Sequence, residues 1–172
     1  TSCLLPVIYL ALEDTGAIAT DSSGYNHNGN IVGAVPTPGN VSGTYGRNFP
    51  STISPRYIQV TRPTDGSLDF GTDNFTVMMW VKTTGAPTSL ILDKGYNSIG
   101  YSLYYSGSLP DINFQIWATD VNNGCTVNAS TINNNIWHHI AFTINRDNNG
   151  KITGYRDGAD INCGQWSPIL KS

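Results

Sequence analysis

Two adjacent histidines stand in the stretch Trp137-His138-His139-Ile140-Ala141-Phe142, and imidazoles in pairs suggest metal ligation or proton transfer. The stretch reads as a strand, in which successive side chains point to opposite faces. The two rings therefore cannot hold one ion between them. His138 falls on the face of Ile140, Phe142 and Ile144, a core face, and His139 falls with Trp137, Ala141 and Thr143; both are read as structural. Glycoside hydrolysis needs paired acids instead, with carboxyl groups about 5–5.5 Å apart in a retaining enzyme. Of the twelve acidic residues one is a glutamate, Glu13, and the aspartates are scattered. Their nearest groupings, Asp65/Asp69/Asp73 and Asp157/Asp160, lie in turn-like contexts. No Gly-x-Ser-x-Gly elbow occurs. The sequence therefore predicts a chain that is not an enzyme.

The elements that position these groups are strands. The best helical candidate, Leu10 to Ala19, stops at Gly16, and Asn, Gly and Pro interrupt nearly everything else. Strands are expected at Val7–Leu12, Tyr57–Val60, Phe75–Thr83, Ser89–Asp93, Tyr101–Tyr105, Ile112–Ala118, Trp137–Asn145 and Lys151–Arg156, and short alternating strands at this spacing predict a β-sandwich. Asn148-Asn149-Gly150 supplies a hairpin turn. Trp80, Trp117 and Trp137 lie within strands and are read as core. At 172 residues, with neither repeat nor linker, the chain is expected to be a single domain over 1–172.

Only 12% of residues are charged and the net charge is −3, so polarity comes from Asn, Ser, Thr and Gly. No basic stripe is available to neutralise phosphates, which argues against nucleic acid. No apolar run reaches the ~18 residues of a membrane span, so no membrane insertion is expected. A chain opening at Thr1 reads as processed or as a fragment. The neutral polar surface suits the extracellular space or cell surface, and Asn40-Val41-Ser42, Asn74-Phe75-Thr76 and Asn128-Ala129-Ser130 make Asn40, Asn74 and Asn128 candidates for glycosylation. In such a setting cysteines pair. Cys125 and Cys163 flank the histidine strand and its hairpin partner and are paired here. Cys3 is left as a buried thiol or as half of a bridge to a missing segment or another chain.

From Asp21 to Ile31 the sequence reads DSSGYNHNGNI, and it continues through RYIQV, LDFGTDNFTVMMWVKT, ILDKG, YSLYY, WHHIAFTIN and ITGYRDG. In this order the segments resemble the laminin-G-like jelly rolls of the concanavalin A-like lectin/glucanase superfamily. The resemblance implies a jelly-roll sandwich of two antiparallel sheets. It also implies a structural calcium ion near the first segment, with Asp21 as charged ligand, Asn26 and Gly29 through backbone carbonyls and Asn28 through its amide, which are the oxygen donors calcium prefers. The competing reading of Asp21-Ser22-Ser23-Gly24 is an Asx-turn. The family's closing strand, with its acidic residue, has no counterpart after Gly158, so the last strand is expected to be missing. A truncated chain, a local change of topology, or a strand donated by another subunit would each account for that.

These features predict an extracellular, non-catalytic recognition or adhesion domain that binds a glycan, or an extracellular protein, in a calcium-dependent way. Tyr25, Tyr96, Tyr104, Tyr105, Trp117 and Trp166 are aromatic candidates for a sugar; Tyr96 and Trp166 are the best placed, being outside strand interiors. The first alternative is a structural subunit of a surface filament or appendage, which would be a homo-oligomer. The second is a carbohydrate-binding module of a larger secreted enzyme.

Overall fold

The computed structural model describes residues 5–84, 88–96, 99–106, 111–118, 121–128, 132–147, 151–161 and 163. Among them there is no helix and every sheet pairing is antiparallel, so the fold is an all-β jelly-roll sandwich. The chain falls into two compact units, residues 1–70 and 71–172.

In the first unit, β1 (Ile18–Ala19), β2 (Gly29–Val32) and β5 (Tyr57–Val60) form a three-stranded sheet in that order, and β3 (Val35–Pro38) pairs with β4 (Tyr45–Asn48). Gly29 is paired on both sides, with Ala19 and Val60. A Cβ there would lie 2.5 Å from the Ile58 side chain, so only glycine fits this crowded position in the sheet. The strand expected at Val7–Leu12 does not form; Leu10 makes only an isolated bridge with Asp21. Its backbone groups are spent elsewhere. The Tyr9 N–H donates to Asp21 Oδ1 (2.8 Å), the Tyr9 carbonyl accepts from Ser22 N (2.8 Å), and the Val7 carbonyl lies 2.9 Å from His27 Nδ1. Leu12, at φ 62°, leaves extended geometry altogether.

The second unit holds two four-stranded sheets. One has the order β10 (Val121–Asn128), β9 (Asp111–Ala118), β8 (Ile99–Ser106), β7 (Ser89–Tyr96). The other has the order β13 (Ala159–Asp160), β12 (Lys151–Arg156), β11 (Trp137–Asn145), β6 (Phe75–Lys82). The sheets meet through aromatic rings. Phe114 stacks on Phe142 with centroids 5.0 Å apart, and Phe75 meets Tyr101 at 5.2 Å. Leu103, Ile112, Ile140 and Ile144 are buried around them, each such side chain contributing about 1.5–3 kcal/mol of burial. On β6 the alternation Phe75, Val77, Met79, Val81 points inward and Thr76, Met78, Trp80, Lys82 outward, which is the period-2 signature of a half-buried strand.

Cys125 on β10 is bonded to Cys163, as the sequence predicted. The bridge passes close over β12: a Cβ at Gly154 would sit 2.8 Å from each sulfur. That position therefore needs a residue without a side chain. β11 and β12 pair from Ile140↔Arg156 to Asn145↔Lys151, as expected of a hairpin; its predicted turn, 148–150, lies outside the described residues.

Candidate functional site

The side chains that β6, β11 and β12 turn away from the core form one face. Antiparallel register places Trp137 opposite Lys82, His139 opposite Trp80, Ala141 between Met78 and Tyr155, and Thr143 between Thr76 and Thr153. Residues directly opposite one another project to the same side. His139 and Trp80 meet edge to face, with centroids 5.2 Å apart. Met78 is 62% exposed and Trp80 50%. Reading Trp80 as core is therefore corrected: the inward set on β6 begins at Phe75, and alternation turns Trp80 outward. Trp117 and Trp137 are half-buried. The face thus combines an aromatic and thioether patch with a row of three threonine hydroxyls, flanked by Lys82 and Lys151, both exposed.

His138 and His139 do point to opposite faces, and His138 is buried while His139 is not. His138 Nδ1 lies 2.7 Å from Asp157 Oδ2, and its Nε2 lies 3.1 Å from Asn134 Oδ1. The other oxygen of Asp157 accepts the His139 N–H at 2.9 Å. Asp157, at φ 50° in the β12–β13 turn, is thus a clamp between that turn and β11. The bond from His138, aided by that from the His139 amide and opposed by partial burial, holds its carboxyl below the usual range.

In the first unit the carboxylate of Asp21 is a hub. Oδ1 accepts from Tyr9 N (2.8 Å) and Ser23 N (2.9 Å), and Oδ2 from Ser23 Oγ (2.7 Å) and His27 N (2.9 Å). Burial alone would raise its pKa, but these donors outweigh that and bring it to about 2. Asn28 is likewise engaged, its Oδ1 accepting the Asp21 N–H at 2.8 Å. Asn26 is exposed at φ 62°, and Gly29 is a strand residue. A calcium ion does not fit this arrangement. A carboxylate offers about four lone-pair directions, and four N–H or O–H donors already occupy those of Asp21, with their partial positive charge aimed where a cation would sit. The Asx-turn reading of this loop matches the contact from Ser23 N back to Asp21.

One contact has the form of a nucleophile and its base. Ser67 Oγ lies 3.1 Å from His27 Nε2, and His27 Nδ1 is oriented by the Val7 carbonyl. A carbonyl can only accept, so Nδ1 carries the proton and Nε2 is free to accept from the hydroxyl. Asp65 competes for that single hydroxyl proton: its carboxyl, which takes the Ser67 N–H at 2.9 Å, is lowered by the Ser67 amide first and the hydroxyl second. Asp69, the next aspartate in that grouping, is held by Arg62 at 2.7 Å. Arg62, Pro63, Thr64, Gly66 and Asp69 line an open depression.

The remaining expected residues divide by what is described. The backbone of Tyr96 ends β7, its side chain is outside the described part, and Trp166 and Cys3 lie outside the described residues. Asn40, Asn74 and the backbone of Asn128 are described.

A family model of the concanavalin A-like lectin/glucanases superfamily, of laminin G type, matches residues 55–167. The chain belongs to this superfamily. The match takes in β5 to β13, and so every strand of both four-stranded sheets. As a laminin-G-like, lectin-like domain the chain is of a kind that generally binds rather than catalyses. The loop at 21–31 precedes the matched residues. No curated protein matches the chain.

Proposed function

We propose that this laminin-G-like domain is an extracellular recognition or adhesion module that binds glycans without cleaving them, on the outward face of β6, β11 and β12. The observation that carries this reading is the pairing of half-exposed Trp80 with His139 beside exposed Met78. Met78 and Trp80 lie side by side on a solvent-facing strand surface, and contiguous exposed apolar groups of this kind mark interaction surfaces. A pyranose ring presents C–H groups on one side and hydroxyls at its rim. Trp80 and Met78 suit the first, while His139, Thr76, Thr143 and Thr153 suit the second. The single glutamate and dispersed aspartates support the absence of hydrolysis. Calcium has no part in this reading, because the Asp21 oxygens are already committed. The same face would serve a carbohydrate-binding module of a longer secreted enzyme equally well.

The experiment is a glycan array probed with the wild-type chain and with Trp80→Ala, in calcium and in chelator. Binding that is lost in the variant and equal in both buffers supports the proposal. If no glycan is retained under either condition, or if the variant binds as the wild type does, the proposal fails.

A further inference from the structure

We propose that Asn40, at the tip of the β3–β4 hairpin, is an N-glycan attachment site of this chain, accepting an oligosaccharide from a lipid-linked diphosphate donor. In the transfer the asparagine Nδ2 bonds to the anomeric carbon, the bond from that carbon to the diphosphate oxygen breaks, and one amide proton leaves to a base of the transferase. Nothing is oxidised or reduced. The acceptor must offer a free amide and a hydroxyl two residues on, together on accessible chain.

The triplets differ in how the structure uses the asparagine. Asn40, Val41 and Ser42 are all exposed, and Val41 is 62% exposed with no core role. The hairpin is closed by its neighbours: Gly39 N donates to the Thr44 carbonyl (2.9 Å), and Thr44 N and Oγ1 both donate to the Val41 carbonyl (3.0 and 2.7 Å). The Asn40 amide has no part in these bonds, so derivatising it costs the fold none of them. Such exposed hairpin tips tolerate additions best.

Asn74 is in the opposite position. Its Oδ1 accepts the Arg146 N–H and its Nδ2 donates to Asp147 Oδ2, each at 2.6 Å, stapling the start of β6 to the end of β11. The intervening Phe75 is buried under the Arg146 guanidinium, 6.0 Å from its ring centroid. The nitrogen a sugar would need is the one that holds the staple, and Thr76 lies within a strand. Asn128 ends β10 opposite Asp111, and the rest of its triplet lies outside the described residues.

The test is secretion of the full chain from a eukaryotic cell line, followed by enzymatic removal of N-glycans in heavy-oxygen water, which marks each occupied asparagine by mass. The expected result is a mark at Asn40 and none at Asn74. Asn40→Gln and Ser42→Ala should each remove one glycan from the intact mass, the second variant leaving the asparagine in place, while Asn74→Gln should remove none. An unmarked Asn40 in secreted wild-type protein, or an intact mass that loses no glycan in either Asn40→Gln or Ser42→Ala, overturns the proposal.

Discussion

The Asp21 loop and the outward face of β6 and β11 exchange the roles their residues suggest. The loop gathers a carboxylate, two serines, a histidine and amides, all groups with chemistry to offer, and the fold consumes them. Asp21 ends with four donors on it and His27 with a carbonyl on one ring nitrogen and a hydroxyl on the other. The face is built from residues that look like packing material, Met78 and Trp80 in an apolar run, and the fold leaves them in solvent. Reactive type therefore says little about availability. What decides is geometry: the loop turns its N–H and O–H groups onto Asp21, whereas the alternation of β6 turns Met78 and Trp80 away from the core.

Four measurements would break or sharpen that contrast. Asp21→Ala should destabilise the protein by about 3 kcal/mol or more, because buried donors left without an acceptor cost about 1–3 kcal/mol each; chemical denaturation measures it, and a near-neutral result would reduce the hub to a surface contact. Trp80→Ala should do the reverse. Its stability should stay within about 0.5 kcal/mol of wild type, as for other surface substitutions, while glycan affinity falls by roughly 30-fold, or about 2 kcal/mol. A smaller effect should follow pH. The folded pKa of Asp21 is depressed from 3.8 to about 2, so its contribution is complete above pH 4 and fades as pH falls towards 2. Melting curves of wild type and Asp21→Asn should converge across that window. The smallest effect is none at all: millimolar calcium should leave the melting temperature unchanged, whereas an ion bound to the native state would raise it by mass action.

Much of the second unit was legible because its strands obey a period of two. Phe75 to Lys82 and Trp137 to Asn145 state their own inward and outward sides, which is why the two histidines could be assigned to opposite faces. The same rule, applied to Met78 and Trp80, would have turned them outward. A tryptophan within a strand is more often core than exposed, and that expectation hid the outward position of Trp80. β10 escaped notice because Asn122, Asn123 and Gly124 carry little strand propensity; its pairing with β9 along the whole length, from Val121↔Ala118 to Asn128↔Asp111, is a tertiary effect. Val7–Leu12 failed the other way. Its residues favour a strand, but Asp21 and His27, distant in sequence, capture the backbone groups a ladder would need. The disulfide was readable from the placement of Cys125 and Cys163 about a hairpin, whereas the demand for Gly154 beneath it depends on atomic closeness that no pattern carries.

That bridge closes a covalent ring of chain spanning 38 positions, which in the chain-entropy picture restricts the unfolded ensemble by about 4 kcal/mol. β11 and β12, including Trp137 and His139, lie inside the ring. A protease cutting once anywhere between the two cysteines would therefore release nothing: both fragments stay tethered until a reductant is added, so such nicks would show on a reducing gel and be silent on a non-reducing one.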